Sequence, residues 1–177
     1  MDRVINKSGI LNKTAFVLVD MQENEMNGFS PDRRSGLVKS QEKVLDFCAE
    51  RNMHVYAFKF EGHGELVGEL NPILARVPRR NILLKRDSDC FSCCYFNPVL
   101  HRDGIRNLII GGVNASYCVL VSADSAKSLG YNLGSAEDLM GDSDYVTSNL
   151  PSVHSWFRSN SMFYDTSESL VERLKKF

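Results

Sequence analysis

RNLIIGGVNASYCVLVSADSAKSLG, residues 106–130, decides how the rest of the chain is read. It opens as an apolar run, RNLIIGG (106–112), which predicts a buried strand. It then passes into ASYCVLVSADSAKSLG (115–130), rich in small, helix-forming residues and closed by Gly130. A strand running straight into a helix is half of a βαβ unit. At the join sits Cys118, two residues after Ser116. With Ser116 as N-cap, Cys118 falls in the first helical turn, where unpaired amides and the helix dipole favour a thiolate. A buried helix cysteine packed on the sheet explains the position equally well.

Outward from this stretch the same alternation repeats. TAFVLV (14–19) is a short β-rich run ending at Asp20, and a polar loop follows from Gln22 to about Ser35. Leu37, Gln41, Val44, Leu45 and Cys48 recur at helical steps of three and four. HVYAFKF (54–60) predicts a second strand, and ELVGELNPILARV (65–77) a partial helix broken near Pro72. NILLK (81–85) is the third strand, ending at Lys85, and YNLGSA (131–136) a weaker fifth. LPSVHSWFRSN (150–160) reads as helix, SMFYD (161–165) as extended and SESLVERLKKF (167–177) as a final helix. Strands alternating with helices predict a three-layer α-β-α sandwich around a mainly parallel, Rossmann-like sheet. One domain over residues 1–177 is expected. In such sheets the working groups collect beyond the carboxyl ends of the strands, where Asp20, Lys85 and Cys118 fall.

Composition narrows the function classes. A net charge of −1 suggests neither nucleic acid nor an anionic membrane as partner. No apolar run approaches the length of a membrane span, and MDRVINKSGILNK (1–13) lacks the apolar core of a signal peptide. Five cysteines, an odd count without disulfide-framework spacing, predict reduced thiols and a cytoplasmic protein.

Each candidate is ambiguous alone. Asp20 is as well explained as a first loop residue or a cap, and Lys85 as a solvated strand end. As a base for Cys118, an Asp at its reference value is about 4.6 units too acidic, a mismatch of about 6 kcal/mol. The site must narrow it, by burial raising Asp20 and by the helix end and a nearby cation lowering Cys118. Lys85 could be that cation. In a sheet of order 3-2-1-4-5-6 it starts two strands from Asp20, roughly 10 Å away, a gap that its stem or a shift of the chain after the third strand must cover.

Three stretches together resemble the isochorismatase-like cysteine hydrolase superfamily, which includes nicotinamidases and N-carbamoyl amide hydrolases. FVLVDMQENEM (16–26) is similar to its strand ending in D-x-Q. LLKRDSDCFS (83–92) is similar to its lysine followed six residues on by a pocket Phe, here Phe91. GIRNLIIGGVNASYCVLVSADSAKSLGY (104–131) is similar to its strand-to-helix turn around the nucleophile. The resemblance implies a six-stranded sheet of order 3-2-1-4-5-6. It also implies Cys118 as nucleophile, Asp20 as acid/base and Lys85 as orienting, charge-stabilising partner. The N–H groups of Asn114 and Cys118 would form the oxyanion hole, with a cis peptide at Val113–Asn114. The implied reaction is cleavage of a small amide-like C–N bond through a thioester. Gln22, Met26, Phe29, Phe91 and Tyr117 would line the substrate pocket, and a homo-oligomer, dimer or tetramer, is expected.

Departures from the family pattern narrow this further. Metal-binding nicotinamidases carry Asp-x-His after the second strand, whereas AFKFEGHGEL (57–66) has only His63. No metal and no cofactor are therefore expected, and nicotinamide is a poor candidate substrate. Where many members have a substrate-packing aromatic after D-x-Q, this chain has Glu23, Asn24, Glu25 and Met26. Two other classes remain: a catalytically silent binding or assembly module, and a redox or zinc protein built on Cys90, Cys93 and Cys94 of CFSCC (90–94).

Overall fold

The computed structural model describes residues 8–177; the stretch 1–7, which opens the segment read above for a signal peptide, lies outside the described residues. The chain starts with a single turn, α1 (Ser8–Leu11), and enters β1 (Thr14–Val19). Then come α2 (Pro31–Glu50), β2 (His54–Phe60), α3 (Asn71–Arg76), β3 (Arg79–Lys85), α4 (Phe96–Arg102) and β4 (Asn107–Val113). A π-helical turn, Ala115–Val119, leads into α5 (Leu120–Ser128), followed by β5 (Asn132–Ala136) and the two-residue β6 (Met140–Gly141). The described chain closes with α6 (Leu150–Asn160), β7 (Met162–Tyr164) and α7 (Ser167–Leu174).

The strands form one sheet in the order β3-β2-β1-β4-β5-β7, with β6 beside β4, and every strand pair is parallel. This is the expected order 3-2-1-4-5-6, with the two-residue β6 standing off the row so that its sixth strand is β7. β1 lies at the centre and all six of its residues are buried. Each Val, Leu or Phe placed there contributes about 1.5–3 kcal/mol relative to exposure.

Two apolar layers cover the sheet. One gathers Leu37, Val44, Leu45 and Cys48 of α2 with Ile73 and Leu74 of α3 and Leu170 and Leu174 of α7. The other gathers Phe96 and Leu100 of α4, Ala123 and Ala126 of α5, and Val153 and Phe157 of α6. The helical periodicity read over 37–48 is the buried face of α2, including Gln41, whose Nε2 donates to the Leu139 carbonyl at 2.9 Å. Pro72 starts α3 rather than breaking a helix, since its missing N–H costs nothing in a first turn.

The glycine pair of GGVNAS (111–116) lets the chain pass between two neighbours. A Cβ on Gly112, at φ +126°, would lie 2.0 Å from the Val19 carbonyl oxygen. One on Gly111 would lie 2.6 Å from the Leu139 side chain. β4 can therefore end directly against the end of β1, which brings Cys118 to Asp20.

Candidate active site

Asp20 leaves β1 at φ 50°, the left-handed region that Asp tolerates better than most residues. Its N–H donates to the Phe58 carbonyl at 3.1 Å, and the Gln22 N–H returns to the Asp20 carbonyl at 2.6 Å. This tight turn holds the carboxylate at the strand end, 1 % exposed.

Lys85 reaches it from two strands away. Val19 of β1 pairs with Phe58 of β2, while Lys85 pairs with Phe60, so β2 and β3 outrun β1 by two residues. The lysine stem crosses the Phe60 ring, with Nζ 4.7 Å from its centroid, and ends 2.7 Å from Asp20 Oδ2. Nζ also donates to the carbonyls of Asp87 at 3.0 Å and Ser88 at 3.3 Å. All three donors of the ammonium are thereby used, and its side chain is fully buried. Burial alone would lower the Lys85 pKa. The Asp20 charge and hydrogen bond, with smaller contributions from the thiols of Cys118 and Cys90, outweigh it and hold the value above the ordinary one.

The second Asp20 oxygen, Oδ1, is buried and has no partner at hydrogen-bond geometry. The Cys118 thiol lies near the Asp20 carboxyl, near enough that each group shifts the other's titration. Burial raises the Asp20 pKa above its ordinary value even though Lys85 pulls it down. Cys118, 6 % exposed, is pushed up to about 11, first by burial and then by the Asp20 charge, against an opposing pull from Lys85. The expected pull of the cation is present, but burial and the Asp20 charge outweigh it, so the net shift of this thiol is upward rather than downward.

The turn that carries Cys118 also differs from expectation. Ser116 is no N-cap, because the turn is π-helical over Ala115–Val119 and starts at Asn114. The Asn114 carbonyl accepts from the N–H groups of Tyr117 at 3.2 Å and Val119 at 3.1 Å. The Ser116 N–H is instead held by Asp142 Oδ1 at 3.0 Å, and its own hydroxyl is buried without a partner. The Val113–Asn114 peptide bond is cis.

Of the residues read as pocket wall, Phe91 is half-buried and packs on Phe96 and Tyr131 in the same layer as Cys118. Tyr117 stands outward on the turn that carries Cys118, 58 % exposed. Gln22 is fully buried. Its Nε2 donates to the carbonyls of Phe60 and Gly64, and its Oε1 accepts from the Phe60 N–H, so it anchors the segment after β2. Met26 and Phe29 belong to the opposite layer, with α2 and α3, and do not join Cys118. The 3-10 turn Glu25–Gly28 sends Met26 into that core and leaves Glu25 on the site side.

Glu25 is the residue that sequence reasoning passed over. Its Oε2 accepts from the Asn114 side-chain amide at 2.9 Å, its Oε1 pairs with Nδ1 of His63, and its charge raises the Asp20 pKa. The only sequence signal was its place in the stretch 23–26 after D-x-Q, where many members of the resembled family have an aromatic residue.

His63 is thus committed to Glu25, and among the described residues no three His, Cys, Asp or Glu side chains are grouped to hold a metal ion. The CFSCC cysteines diverge: Cys90 is buried, Cys93 half-buried and Cys94 exposed, and all are free. The zinc reading of that stretch has no ligand set among the described residues. No described helix is long and apolar enough to cross a membrane.

No curated protein matches the sequence significantly. Among solved structures, the Staphylococcus aureus nicotinamidase SaPncA superposes with a TM-score of 0.77 at 18% identity, over 87% of this chain and 99% of that one. The Thermoplasma acidophilum N-carbamoylsarcosine amidase gives 0.72 at 18% identity, over 88% and 96%. YcaC of Escherichia coli, described as an octameric hydrolase of unknown specificity, gives 0.77 at 21% identity, over 94% and 81%. At such identities the likeness is one of fold. The sequence model of the isochorismatase domain matches residues 14–150, which span β1, the three strand ends and the turn around Cys118, and by that match the chain belongs to the isochorismatase domain family.

Proposed function

We propose that this protein is a cysteine hydrolase that cleaves a small amide-like C–N bond through a thioester on Cys118. The observation that carries the reading is the buried Asp20–Lys85 pair, with one Asp20 oxygen on Nζ at 2.7 Å, the other without a hydrogen-bond partner, and Cys118 close enough to the pair to be shifted by both charges. A buried, unpaired carboxylate oxygen is costly, and a proton acceptor for Cys118 is the use that explains it.

The chemistry follows from that division of labour. Sγ attacks the carbonyl carbon as Asp20 Oδ1 takes the thiol proton, so a free thiolate never accumulates. The carbonyl electrons move onto oxygen, which the backbone N–H groups of Asn114 and Cys118 receive. When the C–N bond breaks, Asp20 returns the proton to the leaving nitrogen. Water then attacks the thioester, Asp20 takes its proton, and the acid departs as the thiol re-forms. Lys85 stays on Oδ2 throughout and keeps the carboxylate oriented. The raised pKa of Asp20 makes it a stronger base toward the thiol, while the rise of Cys118 works against the transfer and is opposed by Lys85.

Intact mass after incubation with small amides, ureas and hydroxamates tests the reading. We expect an acyl adduct on the wild type, no adduct on Cys118→Ala, and a much slower-forming adduct on Asp20→Asn, which lacks the base for acylation as well as for deacylation. An adduct retained in Cys118→Ala, or none across the panel, would overturn it.

A further inference from the structure

An arc of contacts borders the site from Lys85 to the nucleophile turn. Lys85 lies against Phe60, and the Phe60 ring packs on His63 with centroids 4.6 Å apart. His63 pairs with Glu25, and Glu25 holds the Asn114 amide at 2.9 Å. The Glu25 side chain is 15% exposed, so it is nearly enclosed but not sealed from solvent. Its carboxylate is the outermost acid of this arc, and the cations that could offset it are occupied. Lys85 is fully buried, with its donors spent on Asp20 and two carbonyls. Arg34 pairs with Glu23 and Glu69, Arg33 with Asp144, and Lys59 with Glu65. In either protonation state of His63, the Glu25–His63 pair carries no net positive charge.

We propose that Glu25 selects the substrate by charge: the site admits neutral or cationic amides, with N–H donors toward Glu25, and rejects those bearing a carboxylate or other anion. This rests on Cys118 being the reactive thiol and adds the substrate class to that reading. An anionic substrate would find no unpaired cation among these groups to offset its desolvation, and would meet a fixed carboxylate. An amino, amidine or urea-type group could share Glu25 with Asn114 and His63, since each carboxylate oxygen can accept more than one hydrogen bond. The electrostatic reach of Glu25 into the site is independently visible in its effect on Asp20.

The probes are three small methanethiosulfonates, methyl (neutral), 2-aminoethyl (cationic) and 2-sulfonatoethyl (anionic). In each case the thiolate forms a mixed disulfide and methanesulfinate leaves. Rates are read per cysteine by peptide mass spectrometry, with exposed Cys94 as the reference thiol in the same molecule. In the wild type we expect the cationic-to-anionic rate ratio at Cys118 to exceed that at Cys94 by about tenfold. Glu25→Gln should bring the two ratios together, Glu25→Asp should retain most of the selectivity, and Glu25→Lys should reverse it. Equal ratios at Cys118 and Cys94 in the wild type, or a ratio unchanged in Glu25→Gln, would overturn the assignment. The wild-type comparison stands even if a variant fails to fold. Cys118 inert to all three reagents while Cys94 reacts would instead defeat the nucleophile reading itself, and the charge selection with it.

Discussion

Cys48 and Cys118 are both buried thiols of a helical segment packed on the sheet, one on each side of it. Burial raises the pKa of both. For Cys48 burial is the sole cause, because its layer of α2, α3 and α7 offers no charge nearby. For Cys118 burial is joined by Asp20 and Lys85, which act on it in opposite directions. The first layer keeps its ion pairs at the surface, as with Arg76–Asp46 and Lys43–Glu168. The second ends at a carboxyl edge where an ion pair is sealed in. Depth alone acts on Cys48; at Cys118 depth is joined by a buried ion pair whose two charges act on the same thiol.

Breaking that ion pair is the harshest test of the contrast. Lys85→Ala strands the Asp20 carboxylate, and urea unfolding at pH 8 should show a loss of about 3–5 kcal/mol. Lys85 pulls the Asp20 pKa down, so without it Asp20 titrates higher in the folded variant than in the folded wild type, the variant takes up the proton first, and this deficit should shrink as the pH is lowered. Cys48→Ala in the other layer should cost about 1 kcal/mol, with no such dependence. Equal, pH-independent losses would mean that the two layers do not differ as described.

A gentler test uses the thiol. Cys118 has a folded pKa of about 11 against an ordinary 9.0, so between those values the folded state holds a proton that the unfolded state has lost. Stability should then fall as pH rises from 9 to 11, by about 2–3 kcal/mol from this group at full burial, and by less with the mouth open to solvent. Cys118→Ser, which has no such titration, should lose correspondingly less over that window. Identical slopes would remove the shifted thiol from the account.

How much of this was legible in the sequence depends on the range over which each feature is encoded. β1, β2 and α6 were read to their observed ends, since continuous apolar runs and a helical pattern are local signals. α4 was missed because seven residues with Pro98 inside give no clear period, although that proline sits in the first turns, where it is tolerated. β6 is two residues long and exists only through its pairing with Gly112 and Val113. Asp20, Lys85 and Cys118 were visible because each follows or closes a strand. The π-helical turn at Cys118 was not, because Asp142, which fixes its Ser116 N–H, lies 26 residues on with no periodic link. The bond from Glu25 to Asn114 spans 89 residues. Met26 and Phe29 were misdirected for a related reason: a single 3-10 turn decides which loop side chains face the core.

The central claim is that Asp20 and Cys118 share one proton under the hold of Lys85. Residue-resolved iodoacetamide labelling of Cys118 against pH, in the wild type and in Asp20→Asn, tests it most directly. The account predicts a wild-type midpoint near pH 11, moved down by about one unit or more in Asp20→Asn. Removing the carboxylate takes away a charge that holds the proton on sulfur, and leaves Lys85 to stabilise the thiolate. A midpoint that stays in place or rises in Asp20→Asn would contradict it.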